Sequence, residues 1–156
     1  MLHRKRCKPP LLSHIERALE LNPNDGDLLA TYAQMMTFAG QSKDALAWVD
    51  QAILRNPHYP GWYASVRSMI YYLQKEYLLV IKDLNKVGSP AVWDCRYLAV
   101  SYAQLGRTED AKKQVVMLLK GDPDFTLESY VPKLKFQLEM DKQHFIEGLI
   151  KAGLPE

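Results

Sequence analysis

Side chains that could act as acids, bases or metal ligands are few in this 156-residue chain, and they are scattered. The four histidines, His3, His14, His58 and His144, fall in an arm, a helix, a turn and a helix. None stands at ligand spacing from another histidine, a cysteine or a carboxylate. Proton transfer and metal-assisted hydrolysis both need such groups to converge on one point, so His58 and His144 read as surface or boundary residues. Asp122 and Asp124 flank Pro123 in a helix-breaking turn, where capping accounts for them better than metal binding. Cys7 and Cys95 give neither a metal spacing nor a disulfide framework, which fits a reducing compartment. No glycine-rich phosphate loop, G-x-S-x-G elbow or G-x-G-x-x-G turn occurs. The expectation is no catalytic residue, no metal and no cofactor, and hence no enzyme.

The residues that remain suit recognition. Tryptophan, tyrosine, arginine and methionine contribute most at interfaces, and here they recur on segments with helical periodicity. A set of helices is needed to bring them to one wall.

Those helices follow from a repeating pattern. Pro23 to Pro57 reads as a hairpin, with Leu29, Tyr32, Ala33 and Met36 on its first helix and Ala45, Val49 and Ala52 on its second. Gly40 lies between them, where a left-handed residue ends a helix, and Pro57 stops the second helix. Ala33 facing Ala45 lets two backbones approach while the larger side chains fill the flanks. This is the tetratricopeptide spacing, with a period of about 34 residues. The landmarks return at Gly106, Ala111 and Pro123, each 66 residues after Gly40, Ala45 and Pro57. A weaker copy lies between, with Ser68, Tyr71, Val80, Leu84 and Val87 in place, but with Arg67 where leucine is usual and no closing proline.

The fold class expected is therefore all-α, a right-handed superhelix of stacked helical hairpins with about nine helices. A disordered basic arm spans 1–10 and a single repeat domain spans 11–156. That domain comprises a half repeat at 11–23, repeats at about 24–57, 58–91 and 92–123, and a capping hairpin at 124–156. Asn24 or Asp25 caps one helix, Pro60 opens another, and Ser89-Pro90 starts the next as cap and first residue. The run Leu78-Leu79-Val80-Ile81 predicts that the middle hairpin is the most buried, and Trp48 is expected to pack in the core. The final hairpin pairs a helix over 126–137 with one over 141–152, stopped by Gly153 and Pro155. The half repeat lacks its partner helix, so its apolar flank is expected to be open.

Stacked hairpins curve so that their first helices line a concave wall. The register puts Gln34 and Phe38 of one repeat there, then Trp62, Ser65, Met69 and Tyr72, then Trp93, Arg96, Tyr97, Val100 and Gln104. Repeat domains that clamp a terminal carboxylate use a Lys, Asn, Asn, Lys, Arg set. The corresponding places here hold mostly alanine, glutamine, valine and methionine, with Arg96 the single base, so a chaperone-tail receptor is set aside.

Composition bounds the rest. With 47% hydrophobic and 24% charged residues the chain is ordinary globular material, able to bury a core. Of its net charge of +2, Arg4, Lys5, Arg6 and Lys8 supply +4, which leaves −2 for all that follows. Four charges without aromatics make a weak nucleic-acid footprint. Pro9-Pro10 and Ser13-His14 interrupt any apolar run long enough for a signal peptide or membrane span. The expectation is a cytoplasmic protein with a protein or peptide partner, no nucleic acid and no membrane.

The strings NPHYPGWY (Asn56 to Tyr63), WDCRYLAVSYAQLGRTEDA (Trp93 to Ala111), DPDFTLESY (Asp122 to Tyr130) and HFIEGLIKAGLPE (His144 to Glu156) carry a closer likeness. They resemble the C-terminal tetratricopeptide region of bacterial, rhizobial-type adenylate or guanylate cyclases and related regulators, over most of residues 11–156. In that family a separate N-terminal domain with paired metal-binding aspartates cyclises the nucleotide. The resemblance thus implies the accessory, protein-contacting part of a signalling protein. Arg67 and Leu78-Leu79 depart from its pattern. Two functions follow as expectations: an adaptor that binds a peptide or helix in the concave groove, or a regulatory module that pairs two chains as a homodimer through the open N-terminal half repeat.

Overall fold

The structure, a computed structural model, describes residues 10–86, 88 and 90–156. The expected basic arm, apart from Pro10, lies outside the described residues, as does the expected cap Ser89. The described residues contain nine α-helices and one 3-10 turn, and no strand. They are α1 (Pro10–Leu21), α2 (Gly26–Phe38), α3 (Ser42–Arg55), α4 (Gly61–Leu73), α5 (Tyr77–Lys86), α6 (Asp94–Gln104), α7 (Thr108–Gly121), α8 (Leu127–Tyr130), the 3-10 turn Val131–Lys133, and α9 (Glu139–Ala152). No helix among them is long and apolar enough to cross a membrane.

Local chemistry sets most of these bounds. Pro10, placed by the sequence in the arm, is instead the first residue of α1, where its missing N–H goes unneeded. The Asp25 carboxylate accepts from the Leu28 N–H at 3.1 Å and caps α2. Each hairpin turn passes through a left-handed residue: Gly40 at φ +80°, Lys75 at +64° and Gly106 at +72°. Pro60 precedes α4 as an extended residue and does not open it.

The hairpins α2/α3, α4/α5 and α6/α7 stack side by side as a right-handed superhelix. Small residues sit where the backbones meet, with Ala33, Ala45, Ser68 and Ala99 wholly buried and Ala111 nearly so. The Ser68 hydroxyl has no hydrogen-bond partner there. Burial divides into two apolar clusters, one over α1 to α4 and one over α4 to the C-terminus. Helix α4 belongs to both, giving Tyr63, Val66 and Ile70 to the first and Ala64, Met69 and Tyr72 to the second.

Five further expectations need correction. The helix expected over 126–137 stops after one turn, at Tyr130. Pro132 is the reason: it lacks the N–H a helix needs, clashes with the carbonyl four residues back, and disfavours helical geometry at Val131. One 3-10 turn follows, after which Leu134 is extended at ψ 129°. The helix expected from Pro90 begins at Asp94. Residues 91–94 turn on a bond from Asp94 N–H to Ala91 C=O at 2.8 Å, while Val92 fills the space where a Cβ on Gly121 would lie. In the middle hairpin Leu78 and Leu79 are exposed while Val80 and Ile81 are buried, because only one face of α5 meets α4 and α6. Trp48 is partly exposed, set edge-on against Tyr32 at 4.9 Å. The apolar flank of α1 is not bare either, since α2 covers Leu12, Ile15 and Leu19.

Candidate functional site

The first helices α2, α4 and α6 form the concave side of the stack, and the chain's own C-terminal segment packs over part of it. After the 3-10 turn, residues 134–138 cross back towards α2. Gln137 N–H donates to Phe38 C=O at 2.8 Å, Phe136 packs against Phe38 at 5.6 Å, and Leu138 lies where a Cβ on Gly40 would be. Gly40 thus serves two ends, a left-handed turn and a seat for this strap. Helix α9 then returns along α6, touching α7 and α4. The Tyr72 hydroxyl donates to His144 C=O at 3.1 Å, and Tyr72 and Val100 close on Gly148, where a Cβ would come within 2.1 Å of Tyr72 Oη.

Eight of the eleven residues assigned to the wall surround one cavity of about 340 Å³: Gln34 and Phe38 of α2, Trp62, Ser65 and Met69 of α4, and Trp93, Arg96 and Tyr97 at the start of α6. The other three, Tyr72, Val100 and Gln104, lie under or beside α9. Tyr72 and Val100 are fully buried, and Gln104 donates to Tyr72 Oη at 3.3 Å and accepts from Lys151 Nζ at 3.5 Å. Their expected place in an open groove is therefore corrected: they face the concave side, and the chain itself covers them.

The cavity walls are aromatic and basic. Trp93 is the most open aromatic, 54% exposed, while Trp62 is half-buried and edge-on to Tyr63 at 4.6 Å. Arg96 Nε donates to Trp93 C=O at 2.9 Å, and its guanidinium lies 4.7 Å above the Tyr130 ring. Tyr97 packs on Phe145 at 5.4 Å, and burial, then the Tyr130 hydroxyl, holds its pKa well above the usual value. Behind the wall lies Asp94, buried, with one oxygen lacking a partner. Burial pushes its pKa up against the opposing pull of Ser65, the Ala91 backbone and Arg96.

Seven lining residues lie outside the wall expected from the sequence: Met35 and Val66, beside assigned positions on α2 and α4, and Tyr130, Lys133, Leu134, Lys135 and Phe136. The last five lie at or beyond the point where Pro132 breaks the expected helix, and that proline was the signal available. His144, read as a boundary residue, is half-buried and stacked on Tyr72 at 4.8 Å. Burial, then Lys75, lowers its pKa, so at neutral pH it is an uncharged packing ring. Among the described residues no three His, Cys, Asp or Glu side chains gather as a metal site.

The stack of helical hairpins has counterparts among solved structures. The fold is that of MamA, a TPR-containing protein. Two MamA crystal structures superpose with TM-scores of 0.65 and 0.64 at 14% identity, covering 90% of this chain and 84% and 78% of theirs. Identity that low shows the fold alone. No family profile matches the chain, and no curated protein matches it. Within this TPR-like frame the cavity offers an open aromatic and cationic surface.

Proposed function

We propose that the protein is a non-catalytic interaction module that holds a segment of a partner protein in the uncovered part of its concave groove. One observation carries this reading: three successive first helices, α2, α4 and α6, each turn polar or aromatic side chains onto a single solvent-open cavity. A cavity of about 340 Å³ lies at the lower end of the range for ligand clefts, roughly 300–1,000 Å³. It admits a few side chains of an extended segment more readily than a whole helix, which is roughly 10–12 Å across.

The experiment is a selection of displayed peptides on the purified chain, followed by titration of one selected peptide against Trp62→Ala/Trp93→Ala. Neither tryptophan is among the buried core residues, so helicity is expected to persist in circular dichroism while affinity falls by at least about tenfold, as loss of two interface aromatics implies. Unchanged affinity would place binding on another face.

The resemblance of four strings to rhizobial-type cyclases supports a setting beside a nucleotide cyclase, while the cysteine usage and charge pattern support a cytoplasmic protein with neither nucleic acid nor membrane as partner. A cyclase catalytic domain encoded next to this reading frame is the observation to seek. A second reading, pairing of two chains, draws on a different feature. Leu19, Leu29, Tyr32 and Trp48 border an open hollow of about 400 Å³ at the N-terminal end of the stack.

A further inference from the structure

Three cations border the concave cavity, Arg96 from α6, Lys133 from the 3-10 turn and Lys135 from the strap that follows it, and no carboxylate lines it. Among the described residues none of the three is ion-paired. The remainder of the lining is largely aromatic or aliphatic, with Trp62, Trp93 and Phe136 prominent. The chain's described body carries the opposite balance, since residues beyond the first ten sum to −2. The cavity is thus locally positive on a body that is net negative. The chain's own N-terminal arm, with its +4, is a poor occupant on the same ground.

We propose that the strap and α6 together make this cavity a receptor for an extended, carboxylate-rich peptide segment that carries one bulky apolar side chain. The inference rests on the concave-groove reading above and adds the chemistry of the occupant. Arg96 is the fixed cation, oriented by Trp93 C=O and Tyr130, and its remaining N–H donors suit a carboxylate. Lys133 and Lys135 are exposed and stand two residues apart on a different element, across from Arg96. Cations spread over two elements match several carboxylates along an extended chain better than one compact phosphate. The aromatic walls take the apolar side chain, and charge contributes chiefly to encounter and selection. Asp94 lies behind this wall, buried, and does not line the cavity.

The test uses the full chain and fluorescently labelled nonapeptides, read by anisotropy. The acidic probe carries glutamates and aspartates around one tryptophan. A second replaces each acid by its amide, and a third has a single phosphoserine among amides. The acidic peptide is expected to bind at least about tenfold tighter than its amide counterpart and to weaken by about as much between 50 and 500 mM salt, where the screening length falls steeply. Lys133→Glu/Lys135→Glu is expected to remove most of that preference. Lys112→Glu/Lys113→Glu, on the exposed side of α7, is expected to leave it intact. Equal affinity for acid and amide, equal loss in both lysine pairs, no binding of the acidic probe at millimolar concentration, or tighter binding of the phosphoserine peptide would each overturn the proposal. Failure of the groove reading looks different. If the amide peptide binds and Trp62→Ala/Trp93→Ala abolishes it, the groove stands and only the acidic preference falls.

Discussion

Arg67 takes the place on α4 where a leucine is usual, and its guanidinium meets Asp83 of α5 at 2.5 and 2.8 Å and Asp50 of α3 at 3.1 Å. Asp83 is buried and the Arg67 side chain is only 16% exposed, so this is an interior ion pair tying three helices. Burial works against the charge on Arg67, yet the two carboxylates together keep its pKa above the ordinary value. Removing one partner leaves the other buried and unpaired, whereas replacing both with apolar groups does not. Arg67→Leu alone is expected to destabilise the fold by about 3–5 kcal/mol. Arg67→Leu with Asp83→Leu is expected to recover most of that loss in urea unfolding. If the single and double variants unfold at the same denaturant concentration, the pair is not what holds the middle hairpin.

Among the elements, the strap and α9 were the hardest to foresee, and their seats are specific. At Gly148 an added methyl would meet Tyr72 Oη at 2.1 Å and Val100 Cβ at 3.1 Å. The hydroxyl is held by His144 C=O and Gln104, and the ring by His144 and Phe145, so it has little room to yield. Gly148→Ala would gain in helix propensity, about 1 kcal/mol. The clash, typically about 1–3 kcal/mol for an overpacked site, is expected to outweigh that gain and lift α9 from α4 and α6. Faster amide exchange in α9 than in α6 or α7 is the measurement, and unaltered α9 protection would contradict the packing described. The same substitution is expected to uncover Tyr72, Val100 and Gln104, the three wall residues that α9 covers.

At the scale of the whole molecule, the two apolar clusters joined through α4 leave an end of the stack at α1 and α3. If that end pairs two chains, the hollow between Leu19 and Trp48 is the contact. Trp48→Glu is expected to convert a dimer to a monomer in sedimentation equilibrium without loss of helicity, and a wild-type chain monomeric at high concentration would remove this second reading. Much of the architecture was legible beforehand because it is local and periodic. Alanine or serine at 33, 45, 68, 99 and 111, with left-handed turns at Gly40 and Gly106, sets which helices pair, and pairs of helices stacked in order need no long-range information. The sequence by itself also placed eight wall residues together, because one face of a helix follows from its period. Only the tertiary structure decided what lies on that face. Pro132 signals a break but not the direction of the chain after it, and that direction is set by contacts distant in sequence. Phe136 reaches Phe38, Gln137 the Phe38 carbonyl, and Gly148 the Tyr72 hydroxyl. Long-range contacts of this kind depend on shape complementarity between surfaces that exist only once the hairpins have stacked, and no periodicity along the chain encodes them.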